Sequence, residues 1–480
     1  MLPPSNFSAP QYHVAGADEL TVPAAISPAR WHSRSVAIAL ALALVLARVN
    51  RACGDENDLG YRKSFYREDN GRINVNTDTW QYNVGVQDNV RLSGNVVMDA
   101  ISGATPNGAP PQTQWNFPTQ SSLYQSAYQS AFTSQYNQFV ANNQIYVDSG
   151  LETYAQLTND ASAFATQTAP NIATNSAAAS YNSLTNNPDY RRGKVPLTHM
   201  HDRRTAFSIQ LPVTFGENQI TPSFAYSEES DYISFGGALN YSRYLNDKNT
   251  TLSTGWSHNA DTVRDDLMMW QSKMTDDIFL GLVQLCGPKA YFTVNASLGF
   301  SHGYLADPYR GVMFANVLQN NPSDPALSPE VRPRHRNNQI LYASWTQFLT
   351  PVDASYEISY RYFHDSYGIN ANTVQLDWHQ KIGKHLVISP TARYYLQNAA
   401  DFYYVIVPDS NNPPTFYSSD YRLSKMETFT VGVTVSWRVI KHLSLDASYL
   451  RYVMRGLDGV TSQSAYPSAN VISLGGRIWF

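Results

Sequence analysis

The sequence places two histidines and an aspartate close together at His199-Met-His-Asp202. Residues two apart on a β-strand project from the same face, so His199 and His201 could present two imidazoles to one metal ion. Asp202 would add a carboxylate. The alternative is an ordinary solvated surface beside a loop. The rest of the chain gives no cofactor motif, and no cofactor is predicted.

Two further pairs join an imidazole to a second catalytic residue type. They are Ser301-His302 and His364-Asp365. Adjacent residues of a strand point to opposite faces, so neither pair assembles a catalytic triad unaided. We therefore predict that the chain is not an enzyme, and we keep a hydrolase active at the rim of a barrel as an alternative.

Charged residues also alternate with apolar ones in the C-terminal part of the chain. If these segments are strands of a barrel, the charges line its lumen, where rings of charge select solutes by sign. The alternative is an interior closed by salt bridges. The predicted lumen residues are Glu357, Arg361, Asp377, Arg393, Arg438, Asp446 and Arg477.

A second charged set is acidic and lies in polar segments between the predicted strands. We expect it at the extracellular mouth, where carboxylates could bind divalent cations, ions that bridge lipopolysaccharide, or substrate. Solvated loop charges are the simpler interpretation. The set comprises Glu228, Glu229, Asp231, Asp307 and Asp401.

Period-two alternation predicts the elements that position these residues. From Phe429 to Val439, apolar residues occupy every odd position, with Gly432 and polar residues between them. Such a strand is apolar on one face and polar on the other. Short turns, such as those at residues 216–218 and 440–442, alternate strictly with longer connections near 261–274, 302–337, 399–424 and 455–465. This alternation is typical of outer-membrane barrels.

The predicted fold is all-β, a transmembrane antiparallel up-and-down β-barrel. It has about 16 strands, an even number that leaves both chain ends in the periplasm. The predicted strands lie near residues 59–67, 72–85, 88–102, 202–215, 218–228, 231–246, 250–261, 275–286, 289–303, 338–350, 353–365, 369–382, 385–399, 424–439, 442–455 and 466–480.

The chain ends and composition fit export to the outer membrane. Arg30 and Arg34 precede an apolar run at residues 35–47, which predicts a signal peptide with an extended n-region over 1–52 and a barrel over 53–480. The final strand ends on Phe480 and resembles the signal recognised by the barrel-assembly machinery. Only 15% of residues are charged and 13% are aromatic, as interfacial girdles require. A net charge of −4 without a basic stripe argues against nucleic acid.

Residues 107–196 interrupt the strand pattern. This segment is rich in Gln, Ser, Asn and Ala, and Tyr124, Tyr128, Phe132 and Tyr136 recur every four residues, as on one face of a helix. We predict either a helical insertion that plugs the lumen or caps the mouth, or a disordered loop. The parity of the strands places it on the extracellular side.

Several segments resemble an uncharacterised family of bacterial outer-membrane β-barrels, the DUF3570 proteins. They are residues 99–106 (DAISGATP), 220–232 (ITPSFAYSEESDY), 303–310 (GYLADPYR), 393–403 (RYYLQNAADFY) and 418–424 (SSDYRLS). The 107–196 insertion departs from the family pattern. The resemblance implies a barrel in the outer membrane but no activity. We expect a pore or transporter for a small solute, in contact with outer-membrane lipid and lipopolysaccharide, with a non-conducting scaffold as an alternative.

Overall fold

The structure is a computed structural model that describes residues 57–111, 120–185, 193–316 and 327–480. The predicted signal peptide at residues 1–52 lies outside the described residues.

One antiparallel sheet closes on itself as a barrel of sixteen strands within the described residues. Each strand pairs with its neighbours along the chain, as predicted from the alternation. The strands are β1 Asp58–Glu68, β2 Asn74–Gln87, β3 Val90–Pro106, β4 Leu197–Gln210 with Val213–Phe215, β5 Asn218–Glu228, β6 Tyr232–Leu245, β7 Thr250–Arg264, β8 Trp270–Leu285, β9 Ala290–Gly303, β10 His335–Leu349, β11 Ala354–Asp365, β12 Asn370–Ile382, β13 Leu386–Gln397, β14 Met426–Ile440, β15 Leu443–Gly456 and β16 Ser468–Trp479.

Strand β4 is written in two pieces because Pro212 interrupts it. Proline has no backbone N–H and cannot donate to the ladder. Both pieces pair with β3 and β5, so they form one barrel strand. The carbonyl of Pro212 still accepts from the N–H of Arg91 at 3.1 Å, which keeps the wall continuous.

The first and last strands close the barrel. β1 pairs with β16 from Asp58 opposite Trp479 to Glu68 opposite Ala469. Beyond the strands, the N–H of Asn57 donates to the carbonyl of Phe480 at 3.2 Å, and the N–H of Phe480 donates to the carbonyl of Asn57 at 3.0 Å. Closure therefore leaves the sixteen described strands of the barrel without an unpaired edge that could aggregate.

The outer face of the barrel is apolar. On β14, Phe429 is 48% exposed and Trp437 49% exposed, whereas Thr428 between the outer positions is buried on the inner face. A soluble protein would hide such residues, so this belt is the lipid-facing surface of a transmembrane barrel. Its exposed members include Phe207, Phe235, Trp256, Leu280, Leu298, Leu341, Ile358, Val374, Tyr394, Tyr449 and Leu474.

The connections alternate between two ends, which we call the turn end and the loop end. The turn end holds two to four residues per connection, as at 88–89 and 441–442. The loop end holds the long connections 107–196, 304–334, 398–425 and 457–467, together with the short ones 69–73, 229–231, 265–269 and 366–369. The predicted strict alternation of short and long connections is therefore wrong in part.

The predicted loop at 261–274 shows why. Asp261 and Lys273 lie directly opposite each other on β7 and β8, and their side chains form a salt bridge of 3.2 Å. Polar residues in this segment extend the hairpin, because they face inward and find partners there. Polarity alone is therefore a poor sign of a loop in a barrel.

Residues of the 107–196 insertion form two helices, α1 Gln120–Asp148 and α2 Tyr154–Thr185. The helical alternative is thus confirmed for the described part. The rings of Tyr124, Tyr128, Phe132 and Tyr136 follow one another at centroid distances of 6.2, 6.2 and 6.4 Å. α2 packs against α1 through a fully buried stripe that repeats every four residues, Leu157, Ala161, Ala165, Ala169 and Ala173.

Neither of these two described helices is long and apolar enough to cross a membrane.

Candidate functional site

Two long loop-end connections are joined into a single structure. We call residues 304–316, 327–334 and 398–425 the loop layer. The N–H of Val407 donates to Met313 at 2.8 Å, and the N–H of Ala315 donates to Val407 at 2.9 Å. Val331 and Tyr417 exchange two more backbone hydrogen bonds, of 3.0 and 2.8 Å. Val312 and Val407 are fully buried, so the two connections share a core.

The loop layer crosses the mouth of the barrel. On one side, Nη2 of Arg310 donates to the hydroxyl of Thr105, at the end of β3, at 3.0 Å. On the other, the hydroxyl of Tyr367 donates to the carbonyl of Pro333 at 3.1 Å. Tyr367 lies between β11 and β12, roughly half the circumference away from β3. The layer is therefore attached to opposite walls.

Glycine allows the closest approach between the layer and the wall. Gly108 follows β3 with a φ of +94°, and a Cβ there would overlap the carbonyl of Gly311. The N–H of Gly311 donates to the carbonyl of Asn107 at 2.9 Å. A side chain at position 108 would separate these two backbones.

Six charged residues form the centre of the loop layer. Nε of Arg332 lies 2.6 Å from Glu330, and Nη2 of Arg332 lies 2.9 Å from Asp420. Arg422 binds Asp420 at 2.5 Å and also binds Asp307. Arg310 lies 3.7 Å from Asp307 and 4.0 Å from Asp420, and its side chain is 1% exposed. Removing one member of such a buried network leaves other charges uncompensated.

The balance of burial and charge differs among the three carboxylates. Burial disfavours the charged form of Asp420, but Arg422, Arg310 and Arg332 outweigh it and hold the pKa of that carboxyl well below its usual range. The pKa of Asp307 is lowered in the same way, with Arg422 as the strongest favourable neighbour against burial. For Glu330, burial outweighs Arg332 and raises the pKa. Asp420 and Asp307 are thus the permanent anions of the layer.

A second cluster of carboxylates lies where β4 and the 229–231 turn meet. Carboxylate oxygens of Asp202, Glu229 and Asp231 lie within 4.8 Å of one another, a donor set that suits a hard cation. Burial raises the pKa of Glu229 to about 7, with Asp202 and Asp231 adding to the effect and Arg204 opposing it. The hydroxyl of Tyr309 donates to Asp231, which ties this cluster to the loop layer.

The structure brings together some of the predicted mouth residues and separates others. Glu229 and Asp231 share the carboxylate cluster, and Asp307 lies in the loop layer. Glu228 accepts a hydrogen bond from Tyr226 at 3.1 Å on the outer face. Asp401 packs against Gly368. The five acids therefore do not form one site.

The three predicted metal ligands lie on two faces of β4. His199 and His201 are exposed, and both project outward, whereas Asp202 projects inward and accepts from the hydroxyl of Ser230 at 3.0 Å. The physical reason is that β4 begins at Leu197, so its alternation already applies at residue 202. Asp202 cannot complete a site with the two imidazoles.

The two imidazole pairs are also separated by alternation. His302 lies on the outer face, with its ring 6.4 Å from that of His335, while Ser301 faces inward. Nδ1 of His364 lies 3.0 Å from Asn370, and Asp365 binds Arg336 at 2.5 Å inside the barrel.

All seven predicted lumen residues lie on the inner face, opposite the apolar belt, as the register of their strands requires. Asp446 pairs with Arg62 at 2.9 Å, and Arg477 lies 3.6 Å from Asp58. Arg438 stacks on the ring of Trp479 at 5.7 Å. The remaining four, Glu357, Arg361, Asp377 and Arg393, share one sector of the wall, on β11 to β13.

The ionic centre of the loop layer was missed from the sequence, apart from Asp307. Arg310, Asp420 and Arg422 fall inside the segments 303–310 and 418–424, which resemble the family. Their place in these two segments is the one sign in the sequence that points to them. Glu330 and Arg332 lie outside those segments and carried no signal. Their partners are up to 88 residues distant in the chain.

Several solved structures have similar strand arrangements. CdiB from Acinetobacter baumannii matches with a TM-score of 0.42 and 8% identity, over 89% of this chain and 60% of that one. A bacterial polysaccharide outer membrane secretin matches with a TM-score of 0.41 and 6% identity, over 88% and 98%. OccK5 (OpdH) of Pseudomonas aeruginosa matches with a TM-score of 0.37 and 7% identity, over 88% and 98%. This chain spans under two thirds of the length of CdiB.

No curated protein matches this sequence. A family profile described as "Protein of unknown function (DUF3570)" matches residues 35–270 and 267–468. These two matches cover most of the chain, including every strand of the barrel from β1 to β15. The chain belongs to the DUF3570 family.

Proposed function

We propose that this chain is a bacterial outer-membrane β-barrel that passes or binds a small polar solute. In this proposal the loop end faces the outside of the cell and the turn end faces the periplasm. The apolar belt supports insertion in a bilayer, since a closed barrel satisfies every strand hydrogen bond internally. The C-terminal strand would be the segment engaged by the barrel-assembly machinery.

The polar lining of the barrel interior is the observation that supports this proposal most directly. Three buried apolar clusters of the barrel and its connections lie at the loop end, around Ile73, Tyr367 and Tyr421. Further down, facing hydroxyls line the wall, as with Ser64 and Ser473 at 2.8 Å or Ser242 and Ser253 at 2.9 Å. A wall of partly exposed polar groups suits water and a polar solute rather than a packed apolar core.

The loop layer would control access to this interior. It is attached to opposite walls and held by buried ion pairs, so it narrows the mouth without depending on the strand ladder. A channel restricted in this way should conduct weakly at rest and more strongly when the layer is loosened. This distinguishes a channel from a non-conducting scaffold, in which loosening the loops changes nothing.

The test is single-channel conductance of the purified protein in planar bilayers. Asp420→Asn removes a central charge of the layer, and we expect larger or more frequent conductance steps than in the wild type. Asp353→Asn is the matched control, because Asp353 is exposed at the turn end with a φ of +50°, which asparagine tolerates. Absence of conductance from both the wild type and Asp420→Asn would overturn the proposal.

A further inference from the structure

Two arginines face the interior on the same sector of the wall. Arg361 lies on β11 and Arg393 on β13, with β12 between them. Arg361 is opposite Thr373 and Arg393 is opposite Gln375, and these are successive inward positions of β12. The two guanidinium groups therefore border one patch, and they repel each other electrostatically.

Neither arginine has a counter-charge in the described part of the chain. Among the described residues, no carboxylate lies within ion-pair distance of Arg361 or Arg393, unlike Arg62 and Arg477 elsewhere on the wall. Arg361 instead stacks on the ring of Phe363 at 5.6 Å. Two uncompensated positive charges on one patch of an enclosed wall form a positive potential that favours an anion.

The nearest acids on these strands are already engaged. Glu357 accepts from the hydroxyl of Tyr342 at 3.0 Å and from Thr346 at 3.3 Å. Asp377 accepts from Nε2 of Gln375 at 2.7 Å. In register, Glu357 lies opposite Asp377, and both positions are closer to the turn end than those of Arg361 and Arg393. The hydrogen bonds of these two acids are made to Tyr342, Thr346 and Gln375 and not to the arginines.

The hydroxyl of Thr373 is a second feature of the same patch. Its hydroxyl lies between the strands of the two arginines, is 5% exposed as a residue, and has no hydrogen-bond partner in the part of the chain that the structure describes. Its neighbour on β13 is Tyr395, whose hydroxyl donates to Gln397. A buried hydroxyl without a partner costs about 1–3 kcal/mol unless a ligand satisfies it.

We propose that Arg361, Arg393 and Thr373 form an oxyanion subsite on the inner wall, which takes a carboxylate or phosphate group of the solute. Guanidinium groups bind both oxyanions through paired N–H donors, and the hydroxyl of Thr373 adds a third donor. This inference rests on the proposed entry of a solute into the lumen. It adds the chemical class of the solute, an organic or inorganic anion.

Calorimetric titration of the full-length protein in detergent tests the subsite directly. Inorganic phosphate and succinate are titrated separately, which decides between phosphate and carboxylate recognition. We expect Arg361→Gln and Arg393→Gln each to weaken binding on the order of tenfold or more, and Thr373→Val to weaken it less. Arg243→Gln is the control, because this substitution removes the same charge from a residue that is exposed on the outer face of β6.

The reversal potential in a KCl gradient separates this proposal from the proposed pore. Conductance with anion preference that shifts toward cations in Arg361→Gln and Arg393→Gln supports both. Anion binding that is lost in these variants, in a protein that does not conduct, supports the subsite and removes the pore. Conductance with neither binding nor selectivity altered in these variants overturns the subsite and leaves the pore. Failure of the wild type to bind either anion, or equal weakening by Arg243→Gln, also overturns the subsite.

Discussion

Replacing Asp420 by asparagine should open the loop layer while leaving the barrel intact. Asp420 is 1% exposed and lies between two arginines, with Arg332 at 2.9 Å and Arg422 at 2.5 Å. It also accepts from the backbone N–H of Arg422 at 3.1 Å, which caps the short 3-10 turn Tyr421–Leu423. Asparagine keeps the shape and part of the cap but loses the charge.

The free-energy cost of Asp420→Asn follows from the burial of Asp420 and its arginine partners. Removing one partner of a buried ion pair costs about 3–5 kcal/mol, because the remaining charge stays desolvated. Arg422 is 31% exposed on its side chain and can recover some hydration, and asparagine retains one acceptor, so we place the loss near the lower limit. About 3 kcal/mol corresponds to roughly a hundredfold larger population of the open layer.

Hydrogen exchange of residues 398–425 measures this population. We expect exchange to accelerate by about two orders of magnitude in Asp420→Asn, with no change in the heat-modifiable migration that reports the folded barrel. Asp409→Asn serves as the control, because Asp409 lies in the same connection and accepts from the backbone N–H of Asn411 at 2.9 Å. Equal exchange in the two variants would refute the role of the ion pairs. Loss of the folded barrel would refute the local nature of the effect.

Three further predictions concern other parts of the chain. The pKa of Glu229 is raised to about 7, so near neutral pH the folded state binds a proton that the unfolded state has lost. The stability of the 229–231 turn should therefore fall as the pH rises from about 5 to about 7. Glu229→Gln should abolish this pH dependence, as measured by hydrogen exchange at a series of pH values. Ala169→Leu should destabilise the helical pair by about 1–3 kcal/mol through overpacking of its buried stripe, while Gln167→Leu on the exposed side should not, as followed by thermal circular dichroism. Deletion of Phe480 removes its two backbone hydrogen bonds with Asn57 and should reduce the heat-modifiable fraction in outer membranes; normal accumulation would contradict the closing role of this residue.

The barrel can be predicted from the sequence alone, because strand periodicity is a local property. All sixteen predicted strands have counterparts, and the inner or outer position of Arg361, Asp446 or Phe429 follows from a two-residue repeat without knowledge of any partner. Lipid on one side and polar interior on the other impose that repeat on every strand. The helix α1 can be predicted for the same reason, because its four-residue spacing is also a local property of the sequence. The sequence places the start of this strand at residue 202, five residues after Leu197, and within β4 Asp202 faces away from His199 and His201.

The loop layer, in contrast, depends on contacts between residues that are far apart in the sequence. Arg332 and Asp420 are 88 residues apart, and no periodicity relates them. Isolated in sequence, Asp307 and Asp231 are ordinary loop acids; in the structure they are buried against Arg422 and Tyr309. Likewise, the seven lumen charges looked equivalent until their partners were known. Arg477 has an acid beside it and Arg361 does not, because pairing depends on which strands become neighbours and on the direction each side chain takes.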